Sequence, residues 1–156
     1  MAFGTNSKIF ASFITDLMNK TNALDMNSDT IKVALYGNSG TPDNTDTSAH
    51  NAYNGSGGQW VVANETSNGG WSAGGLALAS VTSTFSSNVY TFDAADTANG
   101  SAATIADTRG CLIYDTNTTP LASQGICFLS FGGQQSVTAG TLTVVYNASG
   151  ILTITV

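Results

Sequence analysis

Charged and titratable side chains are what this 156-residue chain has least of. It carries four basic residues (Lys8, Lys20, Lys32 and Arg109), one glutamate (Glu65) and one histidine (His50). Charged residues make up 9% of it, against about 25% in ordinary soluble domains. Catalysis works by placing titratable groups close together, and here there are few to place. Four scattered cations on a net charge of −6 leave no basic stripe for nucleic acid, so no nucleic-acid partner is expected. The same balance argues against an anionic membrane surface. No apolar run approaches the ~20 residues of a membrane-crossing helix, and no basic leader opens a signal-like segment. Expression in a cytoplasm follows as the expectation. Two cysteines, Cys111 and Cys127, do not make a disulfide framework. They read as free, buried thiols of a reducing compartment.

What fills the chain instead is glycine, serine, threonine and asparagine, 70 positions in all. Seven Phe, five Tyr and two Trp accompany a hydrophobic fraction of 42%, enough for a core and unlike a disordered chain. The length fits a single domain spanning 1–156.

One helix is expected, over about 7–21. Phe10, Phe13, Ile14, Leu17 and Met18 recur at the helical period, with Asn6 or Ser7 available as a cap. Short strands are expected at 30–36, 59–63, 76–82, 89–93, 111–115, 125–131, 142–146 and 151–156. The last two would be joined by the tight turn Asn147-Ala148-Ser149-Gly150. The apolar runs at 111–114 and 126–129 suit central strands covered on both sides. The fold class is therefore mainly β, an antiparallel sandwich of about eight strands with one short N-terminal helix. A polar stretch at 37–58 is long for a compact domain and reads as a contact arm.

Constellations for chemistry are weak. His50 has no nucleophile elbow to serve. Trp60 and Trp71 flank Glu65, which raises a carbohydrate-binding adhesin as an alternative, although tryptophan mostly fills cores and interfaces. Asp43, Asn44 and Asp46, or Asp93 and Asp96, offer calcium-type oxygens without the twelve-residue loop spacing. No cofactor and no metal is expected, and the chain does not read as an enzyme. Candidate interface residues are Phe10, Phe13, Ile14 and Leu17 on the helix, Pro42, Asp43 and Tyr53 in the loop, and Trp60 and Trp71.

An ordered set of segments adds a further reading. Asp29-Thr30-Ile31-Lys32-Val33-Ala34-Leu35, Thr41-Pro42-Asp43, Val62-Ala63-Asn64-Glu65, Trp71-Ser72-Ala73-Gly74-Gly75, Asp93-Ala94-Ala95-Asp96 and a tail reading Asn147 to Ile154 follow one another. In this order they resemble a family of small virion structural proteins of tailed bacteriophages, over about residues 8–156. The resemblance implies a short helix followed by β structure, and a role as a head decoration protein or a tail- or baseplate-associated minor protein. It implies the major capsid protein or tail proteins as partners, a homo-oligomer (a trimer first), and the virion as location. The family brings no catalytic residues. The stretch between Pro42 and Trp60 is longer and more polar here than in that pattern.

Overall fold

A computed structural model describes residues 6–19, 24–117 and 121–156. In chain order these form β1 (Lys8–Ile9), α1 (Ala11–Met18), β2 (Ile31–Tyr36), α2 (Ser48–Asn51), β3 (Leu76–Ala77), β4 (Ala79–Ser86), β5 (Val89–Ala95), β6 (Thr97–Ala98), β7 (Ala103–Asp115), β8 (Gly125–Gly140), β9 (Thr143–Val144) and β10 (Leu152–Thr155). The arrangement is mainly β, antiparallel and sandwich-like.

The first layer is a five-stranded sheet in the order β1-β8-β7-β2-β3. Its middle is built from the two apolar runs. Cys111, Leu112, Ile113 and Tyr114 of β7, and Ile126, Cys127 and Phe128 of β8, are all buried, as expected for strands covered on both faces. On one face Phe128 packs with Phe10 and Trp60, at ring-centroid distances of 5.7 and 6.0 Å. On the other, Cys111 and Cys127 lie near Tyr146 of the second layer. Both thiols are free, and burial pushes both upward, Cys127 to about 12. The register pairs Cys111 with Leu129 and Ile113 with Cys127, so the sulfurs sit diagonally rather than opposite.

The second layer contains β4, β5 with β6, and β9 with β10. β10 pairs with β5 and β9 pairs with β6. β9 and β10 therefore run along β5–β6 as one interrupted edge strand. This corrects the expected closing hairpin. Gly150 N–H donates to Asn147 O at 2.7 Å, so the turn forms, but it interrupts an edge rather than joining a pair. Gly150 takes φ +108°, open to glycine alone at low cost.

Other expectations need correction. The helix begins at Ala11, because Lys8 and Ile9 pair with Phe128 and Cys127 as an edge strand. Neither proposed cap serves it. Asn44 O accepts from Ala11 N–H at 2.8 Å, while Ser7 Oγ accepts from Ser130 N–H. Residues 20 and 21 of the expected helix lie outside the described residues. The strand expected at 59–63 is absent: Val62–Asn64 is a 3₁₀ turn, and Trp60 is a core residue. The strand expected at 76–82 is two strands. β3 belongs to the first layer and β4 to the second, with Leu78 between them, and Ser80 at φ +52° falls in a register shift near the start of β4. β7 and β8 run on to Ala103 and Gly140 through mainly Thr, Ala, Gly and Gln positions, where Ile105 opposite Val137 is too little apolar signal to announce a strand.

Asp115 ends β7 at 0% exposure, and its Oδ2 has no hydrogen-bond partner. Burial, with Asp29 nearby, raises its pKa above 3.8. The folded state thus holds the proton more tightly than the unfolded chain does. Between the unfolded and folded pKa values stability falls as pH rises, and above both the loss is complete. Asp115→Asn removes the charge. It is expected to be more stable than the wild type at neutral pH, because a neutral carboxamide avoids the desolvation of a buried carboxylate. Denaturant midpoints across a pH series check this. The gap should open as pH rises from acid to neutral, and a gap constant with pH would contradict the assignment.

Candidate interaction surface

The expected arm at 37–58 is an ordered lid. Thr47 Oγ1 caps α2 by accepting from His50 N–H. Asp16 of α1 is 7% exposed, and its Oδ2 accepts from Ser48 Oγ and from Gln124 Nε2, both at 2.7 Å. Asn51 is fully buried and donates to Ser12 Oγ and Asp46 O. Tyr53 N–H donates to Ser123 O at 2.9 Å. The lid is thereby tied to the helix and to the chain leading into β8. Its outer edge alternates: Thr41, Asp43, Thr45 and Thr47 are exposed, and Pro42 is half-buried between them. Asp43 Oδ1 accepts from both Thr45 N–H and Thr45 Oγ1, which holds its carboxyl below the usual range. A rim pre-shaped in this way loses little entropy on contact.

Tyr53 is half-buried and stacked on Tyr114, with centroids 4.6 Å apart. Its hydroxyl donates to Glu65 Oε2 at 3.1 Å, and Gly74 N–H donates to both Glu65 oxygens. Tyr114 Oη donates to Gly74 O at 2.7 Å. Burial raises the Glu65 carboxyl and pushes Tyr53 up to about 12. The sole glutamate thus clamps the Gly74 turn onto the first sheet.

Several candidate residues turn inward. Phe10 and Phe13 are 0% and 2% exposed, so the subunit's own core uses them. Ile14 is half-buried, and Leu17 faces outward at 37% because Asp16 takes the inward position. Trp60 and Trp71 are 1% and 0% exposed, which removes them as a stacking platform for sugars. His50 Nδ1 lies 2.9 Å from Asp46 Oδ1, four residues earlier on the lid. Among the described residues, no group of three His, Cys, Asp or Glu is placed to hold a metal ion.

One polar surface comes from strand register and not from any single segment. In the second layer Thr84, Thr91 and Thr153 stand in one row across β4, β5 and β10. Ser86, Val89 and Thr155 form the next row. Thr82 opposite Asp93 starts the same face. Thr82, Thr84, Ser86, Thr153 and Thr155 are exposed, and Asp93 is the one charge. The alternation Leu152-Thr153-Ile154-Thr155 signals this face for one strand. Only register sets the three hydroxyl edges side by side. On the opposite face of these strands, Phe85, Tyr90 and Ile154 share a row, and Phe85 is 62% exposed.

Two grooves follow the seam between β8 and the β9–β10 edge, with volumes of about 490 and 570 Å³. Phe131, Val144 and Val145 line both, and neither contains a carboxylate, histidine, cysteine or lysine. Such hollows provide apolar and hydroxyl contact and no acid–base pair.

No family model, no curated protein and no solved structure matches the chain.

Proposed function

We propose that this chain is a non-enzymatic structural protein of a tailed-bacteriophage virion. It sits on the capsid exterior as a decoration subunit that bridges neighbouring capsid proteins. The observation that carries this reading is the hydroxyl face of the second layer, with Thr84, Thr91 and Thr153 in one row. A broad surface with a single carboxylate meets another protein with little ion desolvation. A contact of this kind is weak in one copy and strong when repeated over a lattice.

Residues behind the resemblance also support it, because they make joints of this fold. Glu65 and Gly74 form the clamp on Tyr53, Asp96 Oδ1 accepts from Tyr146 N–H at 3.0 Å, and Gly150 makes the edge turn. The Phe85, Tyr90 and Ile154 row gives a homo-oligomer, in the first instance a trimer, an apolar surface to bury.

Copy number in purified particles tests the reading. Copies on the order of hundreds, retained on heads stripped of tails, are expected of a lattice-bound subunit. A handful of copies that leave with the tail would transfer the protein to the tail or baseplate. Thr84→Asp with Thr153→Asp should abolish binding to particles while the unfolding midpoint stays within about 0.5 kcal/mol of wild type, as for exposed positions. Undiminished binding by that variant would remove the hydroxyl face from the contact.

A further inference from the structure

The sequence contains three Asn-Gly pairs, at 54–55, 68–69 and 99–100, and the fold treats them differently. Asparagine followed by glycine is prone to self-modification. The glycine nitrogen attacks the side-chain carbonyl carbon Cγ, forming an N–Cγ bond. The Cγ–Nδ2 bond breaks, and ammonia leaves with the proton from the glycine amide. Water then opens the five-membered imide at either carbonyl, giving aspartate or isoaspartate. The reaction needs water alone as co-reactant. It also needs a carboxamide free to rotate and a following N–H not engaged elsewhere.

Asn99 fails the first condition. It is 5% exposed, its Oδ1 accepts from Leu142 N–H at 2.6 Å, and its Nδ2 donates to Gly140 O at 3.1 Å and to Ser101 O. Its carboxamide is pinned on both sides. Asn54 is exposed, but Gly55 N–H donates to Ala52 O at 3.1 Å, and Asn54 itself sits at φ +54°, a left-handed conformation that turns the next nitrogen away from Cγ.

Asn68 differs from both. It is exposed and forms an antiparallel bridge with Trp71, each N–H donating to the other's carbonyl at 2.9 and 3.1 Å. Gly69 at φ +58° is the first central residue of this two-residue turn, and Gly70 is not in the left-handed region. This is the type II′ pattern, in which the N–H of the first central residue points away from the turn's own bonds. Asn68 therefore has strand-like backbone, an exposed carboxamide, and a neighbour whose N–H is not held by the turn.

We infer that Asn68 is a site of spontaneous deamidation in the folded protein, and that Asn99 is shielded from it. The product matters locally. A Cβ on Gly69 or Gly70 would lie 2.7 Å from Ala102 O or 2.5 Å from Ser101 O, so the turn is seated tightly on the chain leading into β7. Isoaspartate inserts an extra methylene into the main chain just before that seat and loosens it.

Peptide mapping by mass spectrometry, on folded protein held in warm, mildly alkaline buffer made with heavy-oxygen water, tests this. Asn68 should acquire the label about tenfold faster than Asn99, and the difference should collapse in denaturant, where local protection is lost. Label at Asn68 should appear as both aspartate and isoaspartate, and Asn68→Gln should remove it while leaving the Asn99 rate unchanged. Modification of Asn54 ahead of Asn68, or an Asn68 rate no faster than that of Asn99 in the folded protein, would overturn the assignment.

Discussion

Gly75→Ala is expected to leave the chain unable to accumulate in folded form. Gly75 sits at φ +70°, a region that L side chains enter at a cost. A Cβ there would lie 2.0 Å from Val33 O, 2.5 Å from Val33 C and 2.8 Å from Ala34 Cα. All three atoms belong to the backbone of β2, which is hydrogen-bonded to β7 along its whole length, from Ile31 to Tyr36. No flexible side chain is available to move aside. Relief requires β3 to leave β2, which breaks the pairing of Val33 with Leu76 and pulls on the Glu65 clamp at Gly74. The combined cost exceeds about 4 kcal/mol, the range reserved for a few severe mechanisms and comparable to much of a small domain's stability. Gly100→Ala is the matched control, because nothing lies within 4 Å of a Cβ there. That variant should stay within about 0.5 kcal/mol of wild type. Soluble yield and denaturant midpoints measured side by side check the pair. A Gly75→Ala protein that unfolds at the wild-type midpoint would show that β2 and the Gly74-Gly75 turn do not meet as described.

Gly75 also illustrates what reading the sequence reaches and where it stops. The Gly74-Gly75 pair signals a turn, but its closeness to Val33, forty-two residues earlier, comes only from the pairing of β2 with β3. The apolar runs of β7 and β8 announce central strands because burial on both faces leaves a contiguous hydrophobic stretch. Their outer halves, Thr104 to Arg109 and Gly132 to Gly140, carry no such stretch and are held by ladder bonds with repeated register shifts. The helix is visible by period, but period does not say which apolar positions face the subunit's own core: Phe10 and Phe13 do, and Leu17 and Met18 stay at the surface. The two hydrogen-bond donors waiting at Ser48 and Gln124 draw Asp16 in. The polar stretch 37–58 looks like an arm because its anchors are polar. Asn44 O, Ser48 and Asn51 hold it through hydrogen bonds, which composition cannot distinguish from solvation. The hydroxyl face is the strongest case. Each strand's threonines are plain in the sequence, but their alignment is a property of register across segments sixty residues apart.

Trp60→Ala tests the alternative that the tryptophans serve a sugar. Trp60 is 1% exposed and packs edge-on against Tyr36 at 5.0 Å and Phe10 at 5.9 Å, with Phe128 at 6.0 Å. Its backbone carbonyl accepts the Tyr36 hydroxyl at 2.7 Å, and that buried hydroxyl's pKa is raised, by desolvation first and by Glu65 next. Removing the indole opens a cavity between α1's approach, the lid and the first sheet, where Gly125 is already packed against Phe10 and Asn51 O and leaves no slack for collapse. A loss of about 3–5 kcal/mol is expected, as for buried Trp or Phe truncated to Ala. Aromatic edge contacts forfeited with it place the value in the upper part of that range. Trp60→Phe should recover a large share, because a smaller ring still meets Tyr36 and Phe10. In the wild type, tryptophan emission should be blue-shifted and unmoved by added glycans, since both indoles lie inside. A stable Trp60→Ala protein, or red-shifted emission that responds to a saccharide, would put the indole at the surface and reopen the adhesin reading. The expected pattern instead assigns Trp60 to holding the lid's root against the sheet, with the exposed Thr41, Asp43 and Thr45 rim left for whatever the lid meets.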